Sequence, residues 1–366
     1  MPERPTVYSL GIEQPGRMYF FSYEDEPLAD GQFRVETLYS GVSAGTEFTF
    51  LKGSNPYLHS RWDDHYRVFV PNESTARFPM PFLGYMEVGR VIETRTPAVA
   101  NGDIVAMAYG HKTGHTADPL REFFFIMPPE LDPMLGIYVA QMGPICANGL
   151  LHAAEDLIGP NVRGLSDGVL GRNVLVMGAG VVGLFTALFA RLHGAANVLI
   201  ADSSSYRREI AGRLGLRATD ESQAWRYCKD AWAHDSTDGG ADVAFQCRAH
   251  SASLHSALRA LRPQGTVIDM AFYQSGADDL RLGEEFHHNG LSIRCAQIGR
   301  VPRRLSFLWN RARLAQETVN LLRNEGRRIL DDVVSELVPF EQAPEFLSGL
   351  LANRRDFLQI VLQIHQ

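Results

Sequence analysis

Cysteine is scarce in this chain, and what there is lies scattered. The four cysteines, Cys146, Cys228, Cys247 and Cys295, form no CxxC pair. That spacing offers no structural zinc knuckle and fits reduced thiols in a cytoplasmic protein. No apolar run approaches the roughly 18 residues that span a bilayer. The opening residues, MPERPTVYSL, lack the apolar core of a secretory leader. Neither membrane insertion nor export is expected. Charge of one sign is not concentrated either: 35 Lys and Arg stand against 42 Asp and Glu, a net charge of −7. The basic doublets at 207–208, 303–304, 327–328 and 354–355 are dispersed, which leaves nucleic-acid binding without a footprint. Internal repeats and low-complexity tracts are absent.

What is present is a soluble globular composition, 45% apolar and 21% charged, over 366 residues, a length that suits two domains. The most informative segment is Asn173–Asp202, NVLVMGAGVVGLFTALFARLHGAANVLIAD. It runs as strand, glycine turn, helix, strand and acid, the context a dinucleotide fingerprint requires. Gly178 permits the tight turn, Gly180 lets backbone approach a pyrophosphate, and Gly183 allows close helix–strand packing. The helix N-terminus at Val181 and Val182 offers N–H groups and partial positive charge to phosphates. Asp202 suits a ribose diol. A 2′-phosphate about 4 Å from it would be repelled by on the order of 1–4 kcal/mol, which favours NAD over NADP. Arg207 follows closely and softens that preference.

Residues 1–145 carry short strand signals separated by Gly, Pro and Asn. In Gln32–Tyr39, Phe33, Val35, Thr37 and Tyr39 share one face; Gly84–Thr94 and Asp103–Ala108 are also strand-like. They read as an antiparallel, barrel-like β region. Residues 52–83 read as a long loop, of a length that is usually functional or mobile. From about 147, strand signals at 198–201, 217–219, 241–247, 265–270 and 291–296 alternate with helical patterns, which predicts a doubly wound α/β domain with a parallel sheet. The last 65 or so residues are mostly helical and close on a strand pattern, Phe357–Ile364.

Four segments, YSGVSAGTE (39–47), GYMEVG (84–89), the GAGVVG turn and LVPFEQAPEF (337–346), together resemble the medium-chain dehydrogenase/reductase superfamily over nearly the whole length. SGxSxGTE and LSIRCAQIGR are most similar to a branch that includes bacteriochlorophyllide dehydrogenases. The resemblance implies a GroES-like catalytic domain (1–146), a Rossmann NAD-binding domain (147–299) and a C-terminal return to the first domain (300–366). It also implies a small-molecule substrate between the domains and a homodimer.

The departures matter as much. Where zinc members of the family carry Cys, His and a third Cys or Glu, this chain has Ser43 or Ala44, Tyr85, and the neighbourhood of Gly143; Met86 replaces the acid after the His. Zinc needs three or four N, S or carboxylate ligands, so no metal is expected there. The resemblance makes Thr46 the match of a proton-relay hydroxyl and Glu47 the match of an acid behind the metal. Tyr85 then serves either as a hydrogen-bonding acid or as filler of the vacated volume. His111 and His115, in YGHKTGHT, read as a glycine-rich loop suited to proton transfer, with a plain surface loop as the alternative. A metal site drawing on His111, His115 and Asp63 or His65 is a minor alternative. Cys247, Ala271 and Phe272 fall in loops expected to hold the nicotinamide, and Arg354 or Arg355 is a candidate pyrophosphate contact. The expected activity is zinc-independent, NAD-dependent interconversion of a secondary alcohol and a ketone. A zinc-free enoyl or quinone reductase using NADPH and a nucleotide-binding protein without catalysis remain the rivals.

Overall fold

The computed structural model describes residues 4–297, 299–352 and 355–365. The chain forms two compact units, one of residues 1–141 with 334–366 and one of 142–333. In the first unit, β1 (Thr6–Gln14) and β2 (Arg17–Glu24) make an antiparallel hairpin. After β3 (Phe33–Val42) come α1 (Glu47–Leu51) and a small hairpin of β4 (Ser60–Asp63) and β5 (Val68–Pro71). The run closes with β6 (Glu87–Thr94), β7 (Ile104–Met107), β8 (Gly114–Ala117) and β9 (Phe125–Ile126). The stretch expected to be one long loop, 52–83, therefore contains a hairpin; Asp63 accepts the His65 and Tyr66 amides at its turn.

The second unit begins with α2 (Met142–Ile158) and continues as β10 (Asn173–Met177), α3 (Val181–Leu192), β11 (Asn197–Ala201), α4 (Ser205–Arg213) and β12 (Arg217–Thr219). It goes on through α5 (Ala224–Ala231), β13 (Ala241–Gln246), α6 (Ser251–Ala260), β14 (Leu261–Asp269), β15 (Ser292–Cys295) and α7 (Arg311–Asp332). All six strands are parallel in the order β12-β11-β10-β13-β14-β15. That is the doubly wound order whose switch point lies beside the first strand. Because helices cover both faces of such a sheet, β10 is an unbroken apolar run, buried from Val174 to Met177. The unit ends later than the 299 boundary expected from sequence, because α7 packs onto α2: a Cβ on Gly143 would lie 2.1 Å from Thr318 Cγ2. No helix among the described residues is long and apolar enough to cross a membrane.

The chain returns to the first unit as β16 (Val334–Pro339), α8 (Ala343–Ala352) and β17 (Gln359–Gln363). The resulting sheet runs β16-β17-β3-β6-β7-β9, with β8 also on β3. Since β6 follows β3 along most of one edge, β8 (on 33–36) and β17 (on 39–42) share the other edge. Phe33, Val35 and Thr37 are buried as the alternation predicts, but Leu38 and Ser40 are buried next and Tyr39 is not. The β3–β6 register shifts between Thr37 and Tyr39. A bulge of this kind moves the following side chains to the opposite face, and here it turns Ser40 inward.

Candidate active site

The glycine after Leu83 starts the site. Gly84 has φ +101, and a Cβ on it would lie 2.7 Å from the His111 ring. A bare α-carbon is thus needed both for the backbone turn and for the imidazole to lie against it. The His111 backbone is strapped on both sides, its N–H to Leu83 O at 2.7 Å and its carbonyl to the Leu10 N–H at 2.9 Å. The ring is wholly buried. Its Nε2 is 2.9 Å from Glu47 Oε2 and its Nδ1 2.6 Å from Ser40 Oγ, which donates to Glu87 Oε1 at 2.9 Å. Glu47, Ser40 and Glu87 are buried as well.

Glu47 opens α1, and its other oxygen accepts the Ser43 N–H at 3.0 Å. The Thr46 and Glu47 amides donate back to Ser43 O, at 3.1 and 2.9 Å. This tight turn presents the Ser43 and Thr46 hydroxyls to Tyr85. Ser43 Oγ makes a short contact with the phenol, which in turn reaches Thr46 Oγ1 at 3.3 Å. Burial first, then the Glu47 charge, push the Tyr85 phenol above its ordinary range, against the bonds from Ser43 and Thr46. At neutral pH it is therefore a proton-bearing donor.

Four of the five expected catalytic residues, Thr46, Glu47, Tyr85 and His111, thus meet in one place. His111 arrives there as an enclosed residue, not as part of an open loop. His115 does not join them. It lies in β8 opposite Val35, binds Glu122 Oε2 at 2.7 Å and stacks on Tyr109 with ring centroids 4.6 Å apart. The segment taken for a loop pairs with β3 instead, and strand pairing directs that side chain to Glu122. Ser40 and Glu87 were not singled out from sequence, and Ser43 was noted only at the place of a lost ligand. The signal for Glu87 was available: a lone carboxylate within a strand-like apolar segment needs a buried partner.

The positions that hold zinc in the resembled family do not fit it here. The first position offers either the Ser43 hydroxyl, already bonded to that of Tyr85 at the second, or Ala44, which has no donor atom, while both His111 ring nitrogens face Glu47 and Ser40. Gly143, at the third position, is packed against Thr318 and leaves no space for a ligating side chain. Among the described residues, the His, Cys, Asp and Glu atoms within mutual metal-binding reach are those of His255, Glu284 and Glu285, none of which is a position inherited from zinc members.

In the second unit the three fingerprint glycines separate by role. Gly178 has φ +97, and a Cβ there would be 3.0 Å from Arg248 Cβ; on Gly183 it would be 1.7 Å from Gly178 O. The fold itself requires both. A Cβ on Gly180, which caps α3, would meet nothing closer than Arg207 Nη1 at 3.8 Å. That open space at an N-terminus with no side-chain cap, led by Val181 and Val182, fits a phosphate. Asp202 accepts the Ala179 amide on Oδ2 and the Ser204 amide on Oδ1, each at 2.8 Å. Its carboxylate keeps lone pairs for a diol, but Arg207 Nη1 stands 3.8 Å away. Cys247 continues β13, its amide bonded to Met177 O at 2.9 Å, and burial pushes its thiol up to about 12. Ala271 N binds Asp269 Oδ1 at 3.0 Å, and Phe272 is exposed. Arg355 pairs with Glu336 at 3.2 Å and covers the Phe346 ring within the first unit; Arg354 lies outside the described residues.

A family model described as zinc-binding dehydrogenase matches residues 181–311. A D-guloside 3-dehydrogenase of Shigella flexneri is 26% identical over 345 residues, covering 88% of this chain and 90% of that protein. Among solved structures, a dehydrogenase of Sinorhizobium meliloti bound to NADP superposes with a TM-score of 0.72 at 17% identity, covering 98% of this chain and 100% of the other. An alcohol dehydrogenase of Escherichia coli CFT073 complexed with NADH gives 0.71 at 15% identity, covering 98% and 99%.

Proposed function

The chain belongs to the medium-chain dehydrogenase/reductase superfamily as an alcohol dehydrogenase-like oxidoreductase, and from that premise we propose that it interconverts a secondary alcohol and a ketone with NAD(H), without zinc at the inherited site. The relative acting on D-gulosides supports a ring hydroxyl of a sugar glycoside as the alcohol.

The observation that carries this reading is the hydroxyl cluster at the former ligand positions. Hydride transfer needs positioning and a group that manages the oxygen on the reacting carbon. A bound nicotinamide supplies or accepts the hydride. Tyr85 exchanges its long bond to Thr46 for one to the substrate oxygen and, in the reducing direction, gives that oxygen its proton. The Ser43 hydroxyl, in contact with the phenol oxygen, stabilises the charge left behind. Thr46, half-buried, returns a proton from solvent. In the second unit Gly180, Val181, Val182 and Arg207 would hold the phosphates, Asp202 the ribose, and the backbone at Cys247, Ala271 and Phe272 the nicotinamide.

The test is formation of reduced cofactor from an alkyl D-guloside, after exhaustive dialysis against a chelator. Turnover with NAD that survives the chelator is expected. Turnover lost to the chelator and restored by zinc would overturn the metal-free reading. Tighter binding of NADPH than NADH would favour the enoyl or quinone reductase rival, and Arg207 beside Asp202 is the feature that gives that outcome its interest.

A further inference from the structure

Glu47, His111, Ser40 and Glu87 come from α1, the loop after β7, β3 and β6, and together they fix their own proton count. Ser40 and the His111 ring are wholly buried, as is Glu87, and Glu47 is 3% exposed. Three gaps need filling: Glu47 Oε2 to Nε2 at 2.9 Å, Nδ1 to Ser40 Oγ at 2.6 Å, and Ser40 Oγ to Glu87 Oε1 at 2.9 Å. The outer carboxylate oxygens are taken by amide donors, Ser43 N at 3.0 Å on Glu47 and Tyr109 N at 2.8 Å on Glu87. Carboxylates accept, a hydroxyl donates once, and imidazole donates twice only when charged. If Ser40 donates to Glu87, Nδ1 must donate to Ser40; if Glu47 is ionised, Nε2 must donate as well. Three protons then fill three gaps, and with Ser40 donating to Glu87 the charges are a carboxylate, an imidazolium and a carboxylate. A proton held on Glu87, with Ser40 turned to donate to Nδ1, would fill the same gaps around a neutral ring, and nitrogen NMR of the ring separates the two.

We propose that His111 is a positioning residue, a permanently enclosed imidazolium that pins Glu47 and, through it, sets the Ser43–Thr46 turn against the Tyr85 hydroxyl. The ring touches no solvent and both its nitrogens are engaged by Glu47 and Ser40, so it acts through Glu47. Burial works against its charge, but Glu47 and then Glu87 outweigh burial and raise its pKa, while burial raises that of Glu87. The other titratable groups facing the cluster are Tyr85, Tyr109 and Lys112, the last held down by its own burial. The relevance of this arrangement to turnover rests on the function proposed above; the ring's charge does not.

The test is nitrogen NMR of the full chain labelled at histidine, with the His111 signals assigned by their loss in His111→Gln. Both ring nitrogens of His111 are expected to stay protonated up to pH 8.5, where an ordinary histidine is neutral. A neutral tautomer at that pH overturns the proposal. Positioning is read at Tyr85, as the ultraviolet titration of its phenol against a Tyr85→Phe background. In His111→Ala the midpoint should move by about one pH unit or more, and an unmoved midpoint in the folded variant overturns the assignment. Should that variant not fold, Glu47→Gln serves. A neutral amide there should cost the ring one of its two protons at pH 8.5, and a ring still doubly protonated overturns the idea. Neither readout needs a substrate, so a failed dehydrogenase assay leaves both decisive.

Discussion

A phenol that keeps its proton at neutral pH can donate to a carbonyl oxygen without help from a metal, and Tyr85 is such a group. Tyr85→Phe preserves the ring volume and removes the donor. The expected result is a loss of kcat of about 10²–10⁴-fold, with nicotinamide affinity unchanged, measured by steady-state kinetics and fluorescence titration. Thr46→Ala removes a 3.3 Å bond and leaves solvent water to return the proton to Tyr85 directly, and should cost no more than about tenfold. His115→Ala should leave kcat unaltered, since that ring is committed to Glu122. Much of the site was legible because Thr46, Glu47 and Tyr85 sit in short motifs, YSGVSAGTE and GYMEVG, that the family resemblance marks. Ser40 was not, because the bulge that turns it inward depends on how β3 pairs with β6. His115 was misassigned for the same kind of reason: glycines flanking it suggested a loop, and pairing with β3 made it a strand.

The elements carry their own predictions through glycine. In the turn between β10 and α3, Gly183→Ala would set a methyl 1.7 Å from a carbonyl oxygen. It should destabilise the second unit by ~3 kcal/mol or more, seen as a lowered urea midpoint. Gly180→Ala meets nothing closer than 3.8 Å, so stability should hold while NADH binding weakens, separable by thermal melting and fluorescence titration. The strand–turn–helix unit was readable because buried parallel strands are continuous apolar runs and the turn is set by local backbone geometry. The hairpins β1–β2 and β4–β5 were not. Most side chains of β2 face solvent or its edge, and β4 and β5 have no fully buried residue, so neither alternation nor an apolar run marks them.

At the scale of the whole molecule, a buried charge couples the fold to pH. The folded pKa of His111 is raised, so the stability it contributes is fully present below the unfolded value near 6.5 and is lost as pH rises through the folded one. Urea unfolding from pH 6 to 9 should show a declining stability that His111→Gln flattens, the variant itself losing ~3–5 kcal/mol at pH 6 by leaving two carboxylates unpaired. The discontinuous first unit gives a second expectation. A chain cut after Val333 retains all of the second unit and loses β17, the partner of Tyr39–Val42 in β3. Limited proteolysis should then leave residues 142–333 protected and residues 1–141 digested.

That pairing also sets a timetable. Gln359 bonds to Val42 O across 317 positions of sequence. On a ribosome adding about 5–20 residues per second, the half-edge of β3 beside the Ser43 turn waits on the order of 15–60 s for its neighbour. The six-stranded parallel sheet of the second unit is translated in full before then. The part of the chain made first is finished last, and in the interval an apolar sheet edge next to the Ser43 turn stands open, which is where newborn chains of this protein are most exposed to chaperones and to one another.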